Sequence, residues 1–257
     1  MHSARVDSIV IKVGGSRLES EGDLDHLAGY VQELRESGRG VIVVHGGGPE
    51  ISRLHEAMSV PFEKRDGLRV TTDRGMELTS MALCGAVNTR VVAHLVARGL
   101  PALGLSGLDR GMIRAELKGE EVWGRVGTAP RVDTDLVESL LADGSIPVVS
   151  PVSLGPDGSA VNVNADEAAH ALAESLAADS LELVSDVEGV RIDEETVARR
   201  LSSDETDELI ASRVVRGGMV PKLRAAVAAL DAGVGRVRIG DLAGMIANTA
   251  TEVTAAP

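Results

Sequence analysis

Short apolar runs rich in β-branched residues alternate along this chain with longer stretches in which apolar side chains recur every three or four positions. Ser8–Val13 is the first such run and predicts a strand that ends at Gly14-Gly15. Leu24, Leu27, Val31 and Leu34 predict a helix over residues 23–36. Residues 40–44 predict a second buried strand, which stops at His45-Gly46-Gly47-Gly48. Pro49 then suits the first turn of a helix reaching residue 58. Residues 62–70 read as loop and strand. Thr72-Asp73 suits the cap of a long helix, 73–98, closed by Gly99. A strand follows at 102–105, and weak alternation around Gly119 and Gly124 predicts a hairpin within 112–126. A helix is predicted over 133–142 and a strand over 146–149, with Pro147 at its edge. Gly155-Pro156-Asp157-Gly158 marks a turn between two short strands. Helices at 164–177, 204–212 and 221–232 and strands at 181–185, 236–239 and 252–254 complete the pattern.

Strands separated by long helices indicate β-α-β crossovers. The predicted fold is α/β: a three-layer α/β/α sandwich with a mostly parallel central sheet, in one domain over residues 1–257. Composition agrees. Tyr30, Phe62 and Trp123 are the only aromatic residues, so the core falls to Val, Leu, Ile and Ala, which suits a sheet covered on both faces. The net charge of -13 and the scarcity of aromatic rings both argue against nucleic acid as a partner. The single cysteine, Cys84, excludes an internal disulfide and a cysteine zinc site, and its spacing with Met81 and Val87 places it in a core. No run approaches about 18 consecutive apolar residues, so no membrane span is expected. The first seven residues hold no apolar signal segment, and cytoplasm is the expected location.

Glycine-rich turns after strands let backbone N–H groups approach an anion, and a following helix N-terminus adds a positive end. Two such turns occur early, Gly14-Gly15 and Gly46-Gly47-Gly48, both at carboxyl ends of strands, where open α/β sheets bind ligands. Neither the dinucleotide fingerprint nor the Walker motif is present. Lysine plus arginine number 26, and only Lys12, Lys64, Lys118 and Lys222 are lysines. Lys12 precedes the first glycine pair, and Lys222 follows Gly217-Gly218. A lysine is a compact charge suited to a phosphoryl group in transfer. Lys64 and Lys118 match no motif. In Asn162-Val163-Asn164-Ala165-Asp166, Asn164 suits a helix cap and Asp166 the first turn, while Asn162 is free to reach a cleft. Arg69 offers a bidentate grip on a carboxylate. His45 has no zinc-binding spacing and reads as structural.

Taken in order, Ile11-Lys12-Val13-Gly14-Gly15, His45-Gly46-Gly47-Gly48-Pro49, Gly67-Leu68-Arg69-Val70-Thr71, Gly104-Leu105-Ser106-Gly107-Leu108-Asp109, Asn162-Val163-Asn164-Ala165-Asp166, Ser185-Asp186-Val187-Glu188-Gly189 and Gly218-Met219-Val220-Pro221-Lys222 resemble the amino acid kinase family, and within it the acetylglutamate kinases. The resemblance covers nearly the whole chain. It implies ATP-dependent phosphorylation of the side-chain carboxylate of N-acetyl-L-glutamate, in arginine biosynthesis, with Mg²⁺ arriving on ATP. Lys12 and Lys222 would stabilise the moving phosphoryl group and Asp166 would organise both. Gly47 and Gly48 would offer N–H groups to the acid substrate and its phosphate, and Gly14, Gly15 and Gly46 would complete the cradle. Arg69 and Asn162 would hold the substrate's α-carboxylate and acetylamino group. Asp186, Val187, Glu188, Gly189, Val190, Arg191, Val214, Val215 and Arg216 would line the nucleotide. A soft division follows, with residues 1–175 carrying the acyl substrate and phosphate and 176–257 the nucleotide.

Two departures matter. No extra helix precedes the first strand, so the expectation is a homodimer without arginine feedback. Thr249-Ala250-Thr251 stands where a Gly-Thr pair is usual, which bears on the nucleotide edge. Relatives that phosphorylate aminoadipate or glutamate on an acidic carrier protein, in lysine biosynthesis, tend to break the third glycine of the His-Gly-Gly-Gly run; Gly48 is intact here. A non-catalytic ligand-binding homologue would have no use for Lys12, Lys222 and Asp166 together.

Overall fold

A computed structural model describes residues 6–65, 67–193, 196–216 and 219–256. Residues 1–5 and the Gly217-Gly218 pair, both used above, lie outside the described residues. In chain order, β1 (Ser8–Val13) leads to α1 (Glu21–Glu36), β2 (Gly40–His45) and α2 (Gly48–Ala57). β3 (Glu63–Arg65) and β4 (Leu68–Val70) form a hairpin where the sequence predicts loop and strand. One continuous helical rod follows: α3 (Asp73–Ser80), a π-helical segment (Met81–Val87) and α4 (Asn88–Ala97). Next come β5 (Ala102–Ser106), β6 (Ile113–Leu117), the single turn α5 (Glu120–Trp123) and β7 (Gly127–Val132). β6 and β7 pair antiparallel, so the second arm of the hairpin lies beyond the predicted 112–126 segment. α6 (Asp135–Ala142), β8 (Ile146–Ser150), β9 (Val152–Leu154), β10 (Ala160–Asn162) and α7 (Ala165–Ser175) precede β11 (Ser180–Val184). The chain closes with β12 (Arg200–Ser202), α8 (Ser203–Ala211), α9 (Met219–Asp231), β13 (Val237–Gly240), α10 (Leu242–Ile246) and β14 (Thr251–Thr254).

Eight strands make one sheet in the order β12-β14-β13-β11-β1-β2-β8-β5. Every neighbouring pair is parallel except β13 with β14. Alternation along β1 shows the three layers. Ile9, Ile11 and Val13 face a core shared with α1 and α4, whereas Val10 faces the opposite core, shared with α7 and α9. The predicted sandwich is thus the observed one. β8 is flanked on both sides, by β2 and β5. Pro147 is accommodated because the ladder to β2 begins only at Val148. A four-stranded sheet, β10-β9-β6-β7, packs against α7.

The rod Asp73–Ala97 is 25 residues long and apolar enough in composition to cross a membrane, although its apolar residues do not form one unbroken run. Arg74, Glu77 and Arg90 interrupt it, and a third of its most apolar window is buried. Leu78, Leu83, Val87, Val91 and Leu95 are the side chains it buries in the fold.

A carboxylate sits wholly inside the layer between sheet and helices. Glu182 of β11 is 0% exposed and pairs with Arg238 of β13 at 3.0 Å. The Tyr30 hydroxyl donates to Glu182 at 2.7 Å, and Arg238 also donates to the Met245 carbonyl at 2.9 Å. Such a charge is tolerated in a core only when paired and hydrogen-bonded. Burial and the Glu182 charge together push the Tyr30 phenol well above its usual range.

Candidate active site

The order of the parallel strands locates the site. After β1 the chain moves to β2 on one side, and β8 and β5 continue that way; β11 and β13 lie on the other. β1 is therefore the point where the winding reverses, and a crevice opens beyond its carboxyl end. Three loops leave the sheet at that edge: Gly14-Gly15 after β1, Gly46-Gly47-Gly48 after β2, and Ser185 to Arg191 after β11.

Lys12 is the penultimate residue of β1. The pleat turns it to the same face as Val10, toward α7, and it is 9% exposed. A lysine so enclosed needs a counter-charge. Asp166 in the first turn of α7 supplies it, with Lys12 Nζ 2.9 Å from Asp166 Oδ1. The Asn164 side chain caps α7 by accepting from the Asp166 N–H at 2.8 Å, as its sequence position predicts.

The two glycine turns touch backbone to backbone. A Cβ on Gly15 would lie 2.6 Å from Gly47 Cα, and one on Gly47 would lie 2.5 Å from a Leu83 methyl. Gly15 has no room for a side chain, and one on Gly47 would require Leu83 to shift. Gly14 and Gly48 are different, since a Cβ there would meet nothing within 4 Å. Between these turns, the β3–β4 hairpin and α7 lies a cavity of about 230 Å³. It is lined by Lys12, Gly14, Gly15, Gly46, Gly47, Gly48, Arg69, Asn162 and Asp166 among the predicted residues, together with Lys64, Asn164 and Leu83.

Arg69 is 8% exposed. Its Nη2 donates to Ser52 Oγ at 2.8 Å, and its guanidinium lies 3.8 Å from the centre of the Phe62 ring. Nη1 is buried without a partner, a donor ready for an anion. Burial without a paired carboxylate lowers its pKa. Asn162 Nδ2 donates to Thr71 Oγ1 at 3.1 Å, and that hydroxyl donates to the Arg69 carbonyl at 2.8 Å, so the two predicted substrate ligands are tied together. Sequence reading assigns no role to Ser52, Phe62, Thr71 or Lys64. In the hairpin register Lys64 stands directly opposite Arg69, so both face one way. Lys118, also without a predicted role, packs its ammonium 4.8 Å from the centre of the Trp123 ring.

Lys222 stands apart from the first pair. It lines a neighbouring cavity of about 330 Å³ with Asp166, Glu167, His170 and Leu183, and among the described residues no ion pair joins it to Asp166. It feels Asp186. That carboxyl is held below the usual range by its own backbone N–H and the Ser185 hydroxyl first, with Lys222 and Arg17 adding to the effect. Asp186, Val187, Glu188, Gly189, Val190 and Arg191 follow β11 as predicted. Thr251 steadies this loop, its Oγ1 accepting from the Val190 N–H at 2.8 Å and donating to the Ala198 carbonyl at 2.6 Å. Val214, Val215 and Arg216 lie between α8 and α9; Val215 is buried and Val214 exposed. No backbone hydrogen bond joins the two nucleotide segments among the described residues. Cys84 is half-buried with its thiol pushed up by burial, unlike a nucleophile.

The family model of the amino acid kinase family matches residues 7–241. The chain belongs to the amino acid kinase family. The acetylglutamate kinase of Chloroflexus aggregans is 44% identical over 240 residues, 92% of each chain. That of Methanopyrus kandleri is 43% identical over 253 residues, covering 95% of this chain and 99% of its own. Among solved structures, the protein smu.665 of Streptococcus mutans UA159 superimposes with a TM-score of 0.84 at 32% identity, over 96% of this chain and 98% of that one. In this amino acid kinase, the two glycine turns and Lys12 line one cavity at the end of β1.

Proposed function

We propose that this amino acid kinase transfers the γ-phosphoryl group of ATP to the side-chain carboxylate of N-acetyl-L-glutamate, giving N-acetylglutamyl 5-phosphate and ADP, a step of arginine biosynthesis. The observation that carries the proposal is the cavity lined together by the Lys12–Asp166 pair, the two glycine turns and Arg69, whose guanidinium keeps one unpartnered nitrogen. The identity to acetylglutamate kinases over nearly the full chain supports the choice of acid.

The acceptor carboxylate has an ordinary pKa of about 4.3 and is ionised at neutral pH, so it attacks without a general base. One of its oxygens forms a bond to the γ-phosphorus while the bond to the β–γ bridging oxygen breaks, and ADP leaves with that electron pair. Charge spreads over the three equatorial phosphoryl oxygens, which asks for positioning and fixed positive partners. Lys12 and the N–H groups of Gly47 and Gly48 would supply these on the β2 side, and Lys222 on the β11 side. Asp166 would hold Lys12 in place and receive Lys222 when the crevice closes on substrates. Arg69 and Asn162 would grip the α-carboxylate and acetylamino group. The segments Asp186 to Arg191 and Val214 to Arg216 would line ATP, so residues 1–175 form the acyl-substrate lobe and 176–257 the nucleotide lobe. Among the described residues no cluster of three His, Cys, Asp or Glu side chains could hold a metal ion; Mg²⁺ enters here as part of the nucleotide substrate, on its phosphate oxygens. The protein acts in the cytoplasm as a homodimer.

A coupled assay of ADP release tests the acceptor. N-acetyl-L-glutamate should give the highest kcat/KM among N-acetyl-L-glutamate, L-glutamate and aminoadipate attached to an acidic carrier protein. A preference for the carrier-bound acid would replace the proposed substrate.

A further inference from the structure

His45 closes β2 immediately before the glycine turn and is 0% exposed. Its Nδ1 lies 3.0 Å from the Gly46 carbonyl and its Nε2 lies 3.0 Å from Asn88 Nδ2. Asn88 is the first residue of α4, directly after the π-helical segment. The same amide nitrogen lies 2.9 Å from the Val148 carbonyl and 3.4 Å from that of Leu105. Carbonyl oxygens only accept, so these neighbours orient the amide with its NH₂ toward them. That NH₂ then has only protons to offer Nε2. Nε2 must be the bare, accepting nitrogen, and the ring proton sits on Nδ1, donating to Gly46.

The consequence runs through the peptide plane. A trans peptide holds its C=O and the next N–H in opposite directions. Fixing the Gly46 carbonyl on His45 therefore fixes the direction of the Gly47 N–H, on the far side of the plane. The Gly46 N–H is itself bound to the Val13 carbonyl at 2.9 Å. Leu83 and Val87, both in the π-helical segment, press on Gly47 from one side. Among the described residues, the N–H groups of Gly47 and Gly48 have no backbone acceptor. The widened π turn matters, because each residue of an α-helix turns about 100°; one residue more or less before Asn88 would point its amide away from β2.

We propose that His45, clamped by Asn88, is a positioning residue for phosphoryl transfer that aims the Gly47 N–H group at the phosphoryl group. This rests on the phosphoryl transfer proposed above. Burial lowers the His45 pKa to about 4, which agrees with a ring that stays neutral.

The test combines kinetics with a spectroscopic signature. His45→Leu removes the donor, whereas His45→Asn keeps an amide N–H near the Nδ1 position. Measured per folded enzyme, His45→Leu should lower kcat by about tenfold or more, with a smaller change in either KM, and His45→Asn should recover most of it. Asn88→Leu should also be slow, and the double variant no slower than His45→Leu, because both changes disable one device. In the unsubstituted protein, ¹⁵N NMR should show Nδ1 protonated and Nε2 bare between pH 6 and 8. A His45→Leu enzyme with unchanged kcat, a His45→Asn enzyme as slow as His45→Leu, or a proton on Nε2 would each overturn the proposal. The NMR measurement stands even where His45→Leu fails to fold. If the unsubstituted protein releases no ADP with N-acetyl-L-glutamate, the proposed function fails instead, and the tautomer still reports on the clamp.

Discussion

Lys12 Nζ and Asp166 Oδ1 lie 2.9 Å apart, joining the end of β1 to the first turn of α7 across 154 residues of sequence. The pair ties the central strand to the helix that caps the crevice. Lys12→Ala should lower kcat by about 10²–10³, the usual scale for removing one preorganised partner of a developing negative charge. KM values should move much less. Steady-state kinetics with both substrates varied checks this, and an effect on KM alone would make Lys12 a ground-state contact.

Arg69 lines the cavity and keeps a buried, unpartnered Nη1, while its Nη2 is already used on Ser52. Arg69→Ala should raise the KM for N-acetyl-L-glutamate at least tenfold with little change in the KM for ATP. Arg69→Lys should recover little, since an ammonium can satisfy Ser52 or the substrate but lacks the planar fork. Unchanged KM values would remove Arg69 from the substrate site.

Gly14 and Gly15 are adjacent yet should respond differently. Gly15→Ala puts a methyl 2.6 Å from Gly47 Cα, backbone against backbone, and should abolish most activity and lower Tm. Gly14→Ala meets nothing within 4 Å and should leave Tm nearly unchanged. Thermal melts and kcat of both variants check the contrast.

Burial of His45 depresses its pKa from 6.5 to about 4. The unfolded chain therefore binds this proton first as pH falls, and stability is lost between pH 6.5 and 4. At 1.36 kcal/mol per unit the loss from this group approaches about 3 kcal/mol by pH 4. Other groups titrate in the same window, so the comparison is between the protein and its His45→Asn variant. Urea unfolding at pH 7.5 and pH 4.5 should show a smaller loss in the variant; equal losses would contradict this.

Glu182 is fully buried against Arg238 and the Tyr30 hydroxyl. Arg238→Met leaves that carboxylate without its counter-charge and should cost about 3–5 kcal/mol. Chemical denaturation measures it.

Much of this molecule is legible in its sequence, for local reasons. β1 falls on its predicted bounds because a β-branched run meets Gly14-Gly15, and α7 starts where Asn164 caps it. What escapes depends on distant neighbours. β7 carries Pro130 and alternates weakly, so only its partner β6 makes it a strand. β12 is three residues long and exists as the edge beside β14. The spacing Met81, Cys84, Val87 looks α-helical, and nothing in it announces the π turn that brings Asn88 to His45. The glycine turns, Lys12, Asp166, Arg69 and Asn162 are readable as motifs and meet in one cavity. Lys64 carries no motif; its interest lies in standing across a hairpin from Arg69. Lys222 is readable too, and lies beside Asp166 without bonding to it.

The most direct measurement is chemical trapping of the product. The protein is incubated with Mg-ATP and N-acetyl-L-glutamate, and any acyl phosphate is captured with hydroxylamine as the hydroxamate. Formation of N-acetylglutamyl hydroxamate that requires both substrates and is lost in Lys12→Ala is the predicted result. ATP turnover without hydroxamate, or hydroxamate formed equally well by Lys12→Ala, would contradict the transfer of a phosphoryl group to this carboxylate at the end of β1.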